Sequence, residues 1–135
     1  MSNTAIVPGS ILHWEEFKFE DGGSANKFLV IVGAKTGSNY LAVIATSKPH
    51  WRKFEPGAHP IEGYYCIPGG GKEWFPKDTW LLVAIPREIR PAELVREAFA
   101  GRWRVVGQLR PNIVGALRNC LKQCPDVSPL HVALL

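Results

Sequence analysis

Long hydrophobic runs are missing from this sequence. The longest, at 28–34 and 80–85, are strand-sized, far short of the ~20 residues that a membrane-spanning helix needs. A membrane helix is therefore excluded and a soluble chain is expected. The first nine residues hold no basic cluster followed by an apolar core, so no secretory signal is expected and the expected location is cytoplasmic. Cysteine is scarce: Cys66, Cys120 and Cys124 are an odd number without a Cys-x-x-Cys pair, which argues against a disulfide framework or zinc ribbon and for reduced thiols. His50, His59 and Cys66 match no standard zinc spacing, and no metal or other cofactor is expected. Pro68-Gly69-Gly70-Gly71-Lys72 lacks the spacing of a phosphate loop, and Glu73 stands where Ser or Thr is required, so it reads as a turn. Repeats and low-complexity linkers are absent as well, and 135 residues fit a single domain spanning 1–135.

What is present is a modest basic excess, 16 Lys and Arg against 12 Asp and Glu. Its distribution carries more than its size. Lys35, Lys48, Arg52 and Lys53 lie in a stretch without an acid, and Arg87, Arg90, Arg96, Arg102, Arg104 and Arg110 face only Glu88, Glu93 and Glu97, whereas Glu15, Glu16, Glu20 and Asp21 make the N-terminal part acidic. Such asymmetry fits a polyanionic partner, or simply a well-solvated surface.

Punctuation by 13 Gly and 11 Pro predicts short strands joined by turns, a mainly β protein. Strands are expected at 11–19, at 27–32, apolar on both faces and hence central, and at 40–46. Between Lys48 and Glu73 the periodicity fades, with only 64–67 strand-like, so an excursion at about 50–73 is expected. A strand at 80–85, a strand or short helical turn at 93–99 and a strand at 103–106 follow. Pro111 suits a first helical turn, and Ile113, Val114, Leu117, Cys120, Leu121 and Cys124 fall on one face at a period of 3.6, predicting a C-terminal amphipathic helix at about 111–124. Pro125 ends it. Short antiparallel strands with one terminal helix predict a small, strongly bent barrel. The apolar tail 130–135 is expected to pack on the barrel or a second subunit.

The opening Pro8-Gly9-Ser10-Ile11-Leu12-His13-Trp14, the Gly-rich turn, Lys27-Phe28-Leu29-Val30-Ile31-Val32, Thr46-Ser47 and Val106-Gly107-Gln108-Leu109 together resemble the MazF/PemK toxins over roughly residues 7 to 124. The resemblance implies an SH3-like barrel, a homodimer, an antitoxin partner, and metal-independent cleavage of single-stranded RNA. In that family the strand after the Gly-rich loop begins with Arg-Pro, and Lys27-Phe28 stands in its place; Thr46-Ser47 keeps the family's strand end, and Arg96-Glu97 matches its later arginine segment. Cleavage without metal needs a base for the 2′-hydroxyl, a cation for the phosphorus oxygens and an acid for the leaving 5′-oxygen. Lys27 is the expected cation, without arginine's bidentate fork. Thr46 and Ser47 are expected to orient the phosphate, Arg96 to assist and Glu97 to carry the proton.

Each of these residues also has a plainer reading. Lys27 can guard a strand edge, Thr46-Ser47 can end a strand, and Arg96 and Glu97 can pair with each other. Arg102-Trp103-Arg104, with Lys48, Trp51 and Arg52, interleaves cations and aromatics as a nucleic-acid-binding surface does, although Trp is usually partly buried. His13 reads as structural, and Cys120 and Cys124 as small core residues. Two further functions stay open: a non-catalytic SH3-like module for nucleic acid or protein that has lost the family's arginine, and a gyrase poison acting on DNA.

Overall fold

Why the run 28–32 is apolar on both faces is answered by what flanks it. In the computed structural model, which describes residues 6–19, 21–47 and 53–135, this run belongs to β2 (Ser24–Gly33), lying between β1 (Ser10–Lys18) and β3 (Tyr40–Thr46). Val30 and Val32 join a core cluster with Leu117, Cys120 and Leu121, while Leu29 and Ile31 join another with Leu12, Ile89 and Leu94. The sheet is thus covered on both faces, as the continuous apolar run requires.

Among the described residues the sheet holds eight strands, completed by β4 (Gly57–His59), β5 (Tyr64–Ile67), β6 (Thr79–Leu81), β7 (Arg87–Ile89) and β8 (Trp103–Gln108). All pairings are antiparallel, in the order β4-β5-β6-β3-β2-β1-β8, with β7 pairing a different stretch of β3. The protein is mainly β, as expected. The closed barrel is not formed: β4 and β8 end the path and do not pair with each other. The expected excursion at 50–73 is also partly sheet, because β4 and β5 extend it through β6. These strands are too short for alternation to register, and Tyr64, Cys66 and Trp80 bury a small cluster of their own.

The expected amphipathic helix is α2 (Pro111–Gln123), with Pro at its start and Cys124 as C-cap. Its Leu117, Cys120 and Leu121 are buried against the sheet. The ambiguous segment 93–99 lies in a helix, α1 (Pro91–Phe99), which buries Leu94 alone. A short α3 (Pro129–Val132) leads the tail back onto the sheet, where Leu135 is buried. The two motifs nearest the ends are knitted together. Gly9, at φ +98, donates its N–H to the Ile31 carbonyl at 2.7 Å and accepts from Leu109 N at 2.9 Å, while Gln108 Nε2 donates to the Pro8 carbonyl at 3.0 Å. A Cβ at Gly9 would meet Val114 at 2.7 Å, so this turn needs glycine for space as well as backbone.

Candidate functional site

β2 and β3 part where the ladder between them ends. Phe28 pairs with Ala45, but beyond that rung β2 stays with β1, through Trp14–Lys27 and Lys18–Ser24, while β3 turns to β6 through Ala45–Leu81 and Thr46–Trp80. The split opens a cleft of about 540 Å³. Asn26, Lys27 and Phe28 form one wall, Ala45, Thr46 and Ser47 the other, and the loop from Trp74 to Thr79 overhangs it.

Each wall is held by local chemistry. At 15–16 β1 bulges, with Glu16 at φ 54, and Asn26 Oδ1 accepts the freed Glu16 N–H at 3.0 Å. Thr79 is buried and donates its hydroxyl to the Lys77 carbonyl at 2.8 Å. The overhanging loop is closed by Gly69 N donating to Asp78 Oδ1 at 2.9 Å and Gly70 N to the Phe75 carbonyl at 3.1 Å. Glu73 ties the same loop to α2, accepting from Arg110 N at 3.2 Å and forming an ion pair with Arg110 Nε. Beside it, Trp74 is 37% exposed, its ring 5.1 Å from that of Phe28. The indole lies against Gly107, where a Cβ would come within 2.7 Å of it.

No family model and no curated protein matches this chain.

Lys27, Thr46 and Ser47 therefore border one cleft. The Lys27 ammonium, however, sits 5.9 Å from the centroid of the Phe19 ring. Phe19 lines a second recess, of about 500 Å³, together with Ile44, Arg87 and His131. Register gives the reason: Lys27 pairs with buried Trp14 and lies on that face of β2, whereas Phe28 faces the cleft's aromatic side. Arg96 and Glu97 lie elsewhere, on α1. Glu97 takes Arg102 Nε at 3.2 Å and Arg96 Nε at 3.6 Å, and all three line a separate recess. Of the aromatic–basic segment, Trp103 is structural, donating to the Leu94 carbonyl at 2.8 Å beside Trp14, and Arg104 is exposed. Lys48, Trp51 and Arg52 lie outside the described residues, as does His50.

Trp74 and Lys77 escape a reading of the sequence alone, since the segment 73–77 has no periodicity. The signal that could have found them is a Trp-Phe pair close to a lysine within a Gly/Pro-rich loop, where binding residues concentrate. Chemically, the cleft offers an aromatic face, the exposed Lys77 and the hydroxyl side of Ser47; no Asp, Glu or His lines it among the described residues. It is equipped to hold an anion beside a planar ring. Among the described residues that line it, none would transfer a proton near neutral pH.

Proposed function

We propose that this cleft binds single-stranded RNA and that the chain acts as a non-catalytic binding module of MazF/PemK-like build. The observation that carries the reading is the partly exposed Trp74 over a concave lining that includes Lys77 and Ser47 and, among the described residues, no acid. An unstacked base presents a flat face to the indole, and the phosphate beside it meets the lysine and the hydroxyls. Stacking of this kind contributes about 1–3 kcal/mol per base.

A second reading, the endoribonuclease of a toxin–antitoxin pair, is favoured by Lys27, Thr46 and Ser47 bordering the same cleft. It stands behind the first because Glu97, its expected proton carrier, lies on α1 away from the cleft, engaged with Arg96 and Arg102.

One experiment separates them. Labelled single-stranded RNA is titrated with protein in EDTA, binding is read by fluorescence anisotropy, and the RNA is then run on a denaturing gel. Binding with intact RNA is expected, and Trp74→Ala is expected to weaken it about 5- to 150-fold. Cut RNA, with growth arrest on expression that Lys27→Ala abolishes, would establish the nuclease instead. No binding of single-stranded RNA by the wild type overturns both.

A further inference from the structure

The face that carries the cleft continues past it. The ladder sets Phe28 of β2 opposite His13 of β1, and His13 opposite Arg104 of β8. Directly paired residues of antiparallel strands share one face of the sheet, so these three side chains form a row. The row is also a run of rings: His13 lies 4.9 Å from Phe28, and Phe28 lies 5.1 Å from Trp74 at the cleft. Burial falls outward along it, from Ala45 at 5% through half-buried Phe28 and His13 to exposed Arg104. Arg104 lies at the sheet's edge, since β8 ends the path. Arg96, Arg102 and Arg110 are each ion-paired, whereas Arg104 has no ion pair among the described residues. Glu15 and Arg102 are its charged neighbours around a small hollow that also includes His13.

We propose that a single strand of RNA is held along this row, crossing β2, β1 and β8, with one base on Trp74 and a phosphate further along on Arg104 beside the His13 ring. This rests on the binding function above and adds the path and footprint of the ligand. Phe28 and Arg104 are two strand spacings, about 10 Å, apart, and Gly107, against which the Trp74 indole lies, is three residues from Arg104 along β8, again about 10 Å, beyond the single internucleotide step of a dinucleotide. A dinucleotide anchored on Trp74 therefore stops short of Arg104, and an octanucleotide reaches it. Arginine suits the far end because its planar fork grips two phosphate oxygens at once.

The test is anisotropy with labelled RNAs of two and eight nucleotides against wild type, Trp74→Ala, His13→Ala and Arg104→Ala. The expected result is that Trp74→Ala weakens both lengths. Arg104→Ala weakens only the longer one, about tenfold, and makes its salt dependence shallower by about one phosphate contact. His13→Ala likewise affects only the longer RNA. If Arg104→Ala and His13→Ala bind the octanucleotide as the wild type does while Trp74→Ala still weakens it, the path is wrong and the cleft stands. If the wild type binds neither length, the cleft reading fails and takes this one with it. Should His13→Ala unfold, as circular dichroism would show, exposed Arg104 decides alone.

Discussion

A side chain that is missing at position 107 determines where Trp74 sits. The indole rests where a Gly107 Cβ would come within 2.7 Å of its Cγ, so Gly107→Ala must push the ring off Phe28. The expected outcome is a red-shifted tryptophan emission and an RNA affinity reduced in the direction of Trp74→Ala, read by fluorescence and anisotropy. The cysteines show the opposite case, chemistry suppressed by surroundings. Burial pushes the Cys120 thiol up to about 11 from its ordinary 9.0, and burial raises Cys66 as well. Alkylation in native buffer at pH 8 is therefore expected to be slow at both and fast after denaturation. The sign of the pH effect follows from which state ionises first. The unfolded chain loses the Cys120 proton near 9 and the folded one near 11, so this thiol leaves stability undiminished below pH 9. Between 9 and 11 stability declines as pH rises, measurable as a falling unfolding midpoint that Cys120→Ala flattens.

At the scale of elements, the contact between the overhanging loop and α2 sets the cleft's roof. α2 begins without a side-chain cap of its own and without an acid in its first turn. Glu73, reaching over from the loop, puts a carboxylate at that helix start, where negative charge is favoured, and fixes the neighbouring Trp74. Glu73→Gln is expected to cost about 1–3 kcal/mol, to increase acrylamide quenching of tryptophan and to weaken RNA binding. Helix α2 was legible because its buried residues repeat every three to four positions. Helix α1 was not: it buries only Leu94 and leaves Val95 and Phe99 exposed, so its apolar pattern points nowhere. The run at 80–85 illustrates a third case. Its residues are apolar, yet the strand β6 ends at Leu81 and Leu82 donates instead to the Ile44 carbonyl at 2.9 Å.

Over the whole molecule, the tail closes the fold against the central sheet. The Leu134 carbonyl lies against Gly33, in the space a Cβ would need, and Lys35 Nζ donates to the Ala133 carbonyl at 2.8 Å. Gly33→Ala is therefore expected to lift the tail and destabilise the fold by about 1–3 kcal/mol, seen as a lower thermal midpoint. The cleft lies at the other end of β2, so RNA affinity should be unchanged at temperatures where the variant is folded. The long-range pairing that opens the sheet also opens the cleft: a β2 that stayed with β3 to its first residue would leave no split between 26–27 and 46–47.

Amino-acid order alone determined β1, β2, β3, β5 and β8, the turns at glycine and the helix at 111–123, because each of these depends on residues within a few positions of one another, whereas β4 and β7 escaped it. Lys27, Thr46 and Ser47 could be picked out, and the fold brings them to one cleft. Tertiary structure alone decided that the Lys27 ammonium turns to Phe19, that Glu97 joins two arginines, and that Trp74 hangs over the split. A side chain's partner is whatever distant strand or loop comes to lie beside it, and periodicity along the chain holds no record of that neighbour.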